Sequence, residues 1–117
     1  MDDATRARME ELKKDPLVQF CAAYSTGNSA AADELVRTGR LDTTDPQVTV
    51  CIFLLVLTKD GTSYDESSFE ETRAIAERYK LDYSHLTAWY ETRKAAHPSA
   101  PGVILCGAFL ERCHVRR

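Results

Sequence analysis

Asp45-Pro46 opens an apolar run, Gln47-Val48-Thr49-Val50-Cys51-Ile52-Phe53-Leu54-Leu55-Val56-Leu57, and Lys59-Asp60-Gly61 closes it. No other stretch constrains the fold as strongly. A segment apolar on every side has to be covered on every side. Asp is a good N-cap, and Pro suits the first helical position because its missing N–H would be unpaired there anyway. The β-branched residues Val48, Thr49, Val50, Ile52 and Val56 make a buried strand the competing reading. Length and the Asp-Pro start favour a helix. The expectation is an all-α fold, a compact bundle of six or seven short helices around a central apolar helix at residues 46–58.

The flanking segments carry helical punctuation. Residues 3–14 are thinly apolar (Ala4, Met9, Leu12), with Arg6–Glu10 and Glu10–Lys14 at i,i+4, which suggests a solvated peripheral helix. Pro16 ends it and can open the next, where Leu17, Phe20, Cys21 and Tyr24 form one stripe up to Ser25. Thr26-Gly27-Asn28 reads as a turn. In residues 29–38, Ala31, Ala32, Leu35 and Val36 share a face before Gly39, a natural C′ residue.

Further on, Ser67-Ser68-Phe69-Glu70-Glu71 holds two overlapping S-x-x-E capping boxes. In the helix expected over 67–80, Phe69, Thr72, Ala76 and Tyr79 point inward with Ile75 alongside, and Glu70, Arg73 and Glu77 point out. In residues 84–96, Leu86, Trp89, Tyr90 and Arg93 share a face, and His97-Pro98 ends the helix. The domain plan is one helical domain, 1–117: a peripheral helix at 1–15, a helical core at 16–97, a turn at 98–102 and a C-terminal apolar segment at 103–117. Pattern alone leaves open whether 103–115 packs inside or is offered to another chain.

Composition narrows the function classes. A chain of 117 residues is one domain's worth. Its net charge of −3 gives no footprint for nucleic acid or an anionic membrane. Met1-Asp2-Asp3-Ala4-Thr5 is acidic with no secretory apolar region after it, and no run reaches the ~20 residues of a spanning helix. The chain therefore reads as soluble and cytoplasmic, and Cys21, Cys51, Cys106 and Cys113 read as thiols.

The tests for chemistry return little. Gly102 and Gly107 have the G-x-x-x-x-G spacing of a phosphate loop, but Ala108-Phe109 stand where Lys and Ser/Thr are needed. There is no C-x-x-C or H-E-x-x-H. On a helix, Cys106 and Cys113 would lie about 10.5 Å apart along the axis, beyond disulfide reach and shared zinc coordination. No nucleophile–base pair is evident, so no catalytic residue and no cofactor is assigned. Asp60, Asp65, Glu66 and Glu70 form an acidic loop that could attract a divalent cation. The EF-hand register fails there, because Val56 and Ser67 would occupy the two key carboxylate positions. Trp89, Tyr90, Phe109 and Leu110 are the candidate interaction residues, either with a protein partner or in self-association.

From Val48 to Arg93 the layout is an apolar helix, an Asp-Gly loop, Ser-Phe-Glu-Glu, a helix ending in Tyr79-Lys80-Leu81, then Leu86 and Trp89-Tyr90-Glu91. This resembles the N-terminal helical domain of COMMD proteins. Tyr90-Glu91 matches that family's closing Tyr-Glu pair, and Lys80-Leu81-Asp82 stands where the family has a glycine-containing turn. The resemblance implies a scaffold or adaptor role. Val50 to Leu81, with Asp60-Gly61 and Ile75-Ala76-Glu77, also resembles TerB-like helical proteins of tellurite resistance. That likeness implies a metal-linked role, with the acidic residues falling on Asp60 and on Glu66 or Glu70.

Overall fold

Short acidic and amide side chains set where the helices begin. The computed structural model describes residues 2–59, 61 and 66–115, with the backbone alone for 114 and 115. Seven α-helices run through those residues, and no strand is present among them. They are α1 (Asp3–Lys13), α2 (Pro16–Ser25), α3 (Ser29–Arg37), α4 (Pro46–Leu57), α5 (Glu66–Tyr79), α6 (Tyr83–Ala96) and α7 (Pro101–Val115). Asp2, Asp15, Asn28, Asp45 and Asp82 cap α1, α2, α3, α4 and α6, each side chain accepting a backbone N–H of the first turn. Each such cap is worth about 1 kcal/mol over alanine.

The chain forms two compact units, residues 1–42 and 43–117. In the first, α2 and α3 pack as a hairpin. Its tight turn relies on Gly27 at φ +77°, with the Asn28 N–H reaching the Ala23 carbonyl at 2.8 Å. Phe20, Ala32, Leu35 and Leu41 are buried, and the Phe20 and Tyr24 rings stack. Helix α1 buries no residue, as a peripheral helix should. The Gln19 amide donates to the Lys13 carbonyl at 2.9 Å and ties the end of α1 to α2. The expected i,i+4 ion pairs of α1 do not form. Instead Lys13 meets Glu10 and Lys14 meets Glu11, both at i,i+3. Exposed pairs at either spacing differ by so little that flexible side chains select between them freely.

In the second unit α4 is the central element and packs on α5, α6 and α7. It is a helix, not the competing buried strand, and three helices cover it where a strand would have needed a sheet on either side. Thr49, Val50, Ile52, Phe53, Val56 and Leu57 are buried. Full burial of each large apolar side chain favours folding by about 1.5–3 kcal/mol. The buried hydroxyls are satisfied, Thr49 donating to the Thr43 carbonyl and Thr72 to the Ser68 carbonyl, each at 2.7 Å. Phe69, Thr72, Ala76 and Tyr79 face inward from α5 as their spacing predicts.

Two boundaries depart from expectation. Ser67 and Ser68 are already helical, so neither caps α5, and Ser68 is buried. Pro101 and Gly102 belong to α7 and not to the preceding turn, because proline is well placed in a first helical turn. Helix α7 itself packs into the core: Val103, Leu105, Cys106 and Phe109 are buried, and Ile104 is left exposed. Helix α5 ends in a Schellman turn without glycine. Lys80 adopts φ +55°, and the Leu81 N–H reaches the Ala76 carbonyl at 2.8 Å. Burial of Leu81 and Ala76 holds the strained residue in place.

Candidate functional site

The short connection at residues 97–100 lays α7 back along α6. On α6, Ser84, Thr87, Ala88 and Glu91 recur at i, i+3, i+4 and i+7, and on α7 Gly107, Leu110 and Glu111 stand at i, i+3 and i+4. These two stripes border a groove of about 1040 Å³ within the second unit. Ser84, Thr87, Ala88 and Gly107 are too small to fill the space between two helices, which leaves a groove. Tyr83, Tyr90, Leu110 and Cys113 give it an apolar lining, and Asp82, Glu91 and Glu111 supply carboxylates.

Tyr90 and Gly107 fit each other closely. A methyl group placed on Gly107 would stand 2.7 Å from the Tyr90 hydroxyl oxygen and 2.9 and 3.0 Å from two ring carbons. Glycine in mid-helix costs about 1 kcal/mol against alanine. Here it lets the tyrosine ring lie against the α7 backbone. The Lys94 ammonium sits over that ring, 5.6 Å from its centroid.

The four candidate interaction residues separate. Tyr90 and Leu110 come together in the groove, each half-buried. Trp89 is half-buried outside the groove lining, with the Arg93 guanidinium 5.9 Å from its ring centre. Phe109 is not a surface residue: it is fully buried, with Phe69, Tyr83 and Phe53 at ring-centroid distances of 5.6, 6.1 and 6.2 Å. The helical period places Phe109 and Leu110 side by side, but the neighbouring α4 and α5 rings capture the first. Reading the sequence singled out neither the hydroxyl-and-alanine stripe of α6 nor the structural use of Gly107. An isolated glycine inside a helical pattern was the available signal.

Of the acidic loop, Asp60 and Asp65 lie outside the described residues. Glu66 pairs with Arg112, Glu70 with Arg73 at 2.5 Å, and Glu71 with Lys59 through both oxygens at 3.0 Å. No cluster of three metal-ligating side chains occurs among the described residues. Two of the four thiols are poorly disposed to attack. Burial pushes Cys106 up to about 12, and burial with the nearby Asp45 charge raises Cys51. The thiolate is the nucleophile, so both changes reduce reactivity. Asp82 moves the other way: hydrogen bonds from Ser84 hold its carboxyl below the ordinary range, keeping a negative charge at the mouth of the groove.

No helix among the described residues is long and apolar enough to cross a membrane. Comparison with known proteins returns no matching family model, no matching curated protein and no matching solved structure.

Proposed function

We propose that this chain is a non-enzymatic interaction module, a scaffold or adaptor that binds a protein partner through the α6–α7 groove. The observation that carries this reading is the groove itself: Tyr90 and Leu110 stand half-exposed along it, beside the buried Val103, Leu105, Cys106 and Phe109 of α7. A recess of this kind, lined by aromatic and aliphatic groups, is the usual form of a helix- or peptide-binding surface. The raised thiols support a binding role over nucleophilic catalysis. The COMMD-like pattern of residues 48–93 implies the same kind of role.

The test compares the native chain with Leu110→Glu, which places a charge at a half-buried position of the groove, the fold of the variant being checked by its urea midpoint. Both are assayed by affinity capture and by light scattering at two concentrations. The expected result is a partner, or a second copy, bound by the native chain and lost from the variant. Identical capture profiles, with both proteins monomeric at the higher concentration, would overturn the reading.

A further inference from the structure

The charges around the groove specify its occupant more narrowly. Resting on the reading above, we infer that the α6–α7 groove takes a basic amphipathic helix, its apolar side on Tyr90 and Leu110 and its Lys or Arg residues toward Asp82, Glu91 and Glu111.

Three observations carry this. The first is sign: the lining residues, among those described, include three carboxylates and no Lys, Arg or His. The second is pairing. Glu10, Glu11, Glu34, Glu66, Glu70 and Glu71 each meet a lysine or arginine. Glu91 and Glu111 are exposed and, like Glu77 on α5, form no ion pair among the described residues, but of the three only these two border the apolar groove. Lys94, one turn beyond Glu91, lies over the Tyr90 ring instead of on that carboxylate. Uncompensated charge at the edge of an apolar recess steers and selects an oppositely charged partner.

The third observation is span. Asp82 and Glu91 stand about 13.5 Å apart along α6, at about 1.5 Å per residue. A small organic cation meets one of them at a time. A helix with basic residues two turns apart, about 10.8 Å, brings flexible Lys or Arg side chains within reach of both, while its apolar stripe faces the row between them.

The probe is a displayed library of 14-residue helices. Their apolar face is randomised among Leu, Ile, Met and Phe, and their flanks among Lys, Gln and Glu. Selection is on the native chain, with binding of enriched clones measured on Glu91→Lys/Glu111→Lys and on Leu110→Glu. Glu91 and Glu111 are exposed, so charge reversal should leave the fold intact, which the urea midpoint of each variant checks. The expected result is enrichment of Lys-flanked helices that bind the double variant at least tenfold more weakly and lose affinity severalfold between 0.1 and 0.5 M salt. Enrichment of Gln- or Glu-flanked helices that still require Leu110 would overturn this inference and leave the interaction reading standing. Clones indifferent to Leu110→Glu would overturn both.

Discussion

Replacing Phe109 with alanine separates core from surface decisively. The side chain is fully buried and touches three aromatic rings, at 5.6, 6.1 and 6.2 Å between centroids. Truncating a buried phenylalanine costs about 3–5 kcal/mol through lost transfer energy and the cavity left behind. Aromatic pairs add about 0.5–1.5 kcal/mol beyond area, so this site belongs in the upper part of that range. Phe109→Leu keeps most of the volume and should cost about 1–2 kcal/mol. Leu110→Ala, at a half-buried position, should also cost about 1–2 kcal/mol. Against a net stability of about 5–15 kcal/mol, the alanine variant loses a large share. For a unit of this size its melting temperature should fall by roughly 15–30 °C. Urea unfolding followed by Trp89 fluorescence reads the change, because Trp89 is the chain's single tryptophan and lies on α6 of the same unit. A Phe109→Ala loss below about 1 kcal/mol, or one smaller than that of Leu110→Ala, would refute the placement of Phe109 in the core.

Four further outcomes are expected. Lys80→Gly should stabilise by about 0.5–1 kcal/mol in the same urea assay, since glycine takes the left-handed conformation at φ +55° without a Cβ clash. Gly107→Ala should gain little or lose stability in the native chain but gain about 1 kcal/mol in a Tyr90→Ala background, where nothing blocks the methyl group. Cys106 ties stability to alkaline pH. Its folded value of about 12 lies above the ordinary 9.0, so its contribution is complete below pH 9.0 and is lost as pH rises toward 12. The stability difference between native and Cys106→Ala should then shrink by about 2–3 kcal/mol between pH 8 and 11, at about 1.36 kcal/mol per unit. Finally, millimolar Ca²⁺ or Zn²⁺ should leave the melting temperature unmoved, because Glu66, Glu70 and Glu71 already face Arg112, Arg73 and Lys59; a rise of several degrees would restore the metal reading.

The helices were legible in the sequence because their signals are local. Asp45-Pro46 and Asp15-Pro16 mark starts within a single turn of chain, and α2 and α4 begin and end where those signals predict. The all-α class followed from reading 46–58 as a helix, although its β-branched content argued for a strand. What sequence could not resolve is non-local. Helical periodicity says that Phe109 and Leu110 are apolar neighbours, but the positions of Phe53 and Phe69 decide which is covered. The ion pair between Glu66 and Arg112 joins residues far apart in the chain, and no spacing rule anticipates it. The groove is an absence of side-chain volume between two helices, so it has no motif. Only the run of small residues on α6 and the glycine at 107 hint at it.

The contact between Phe53 and Phe109 also sets a timetable for the nascent chain. Phe53 leaves the ribosome about 56 residues ahead of its partner, and synthesis proceeds at about 5–20 residues per second. For roughly 3–11 s, then, the most apolar helix of the chain is complete while α7, part of its cover, is not yet made. In that interval α4 is the segment that a holdase chaperone would grip, and the one through which two unfinished chains would stick together. Any change that slows translation between α5 and α7 lengthens that exposure without altering the finished protein.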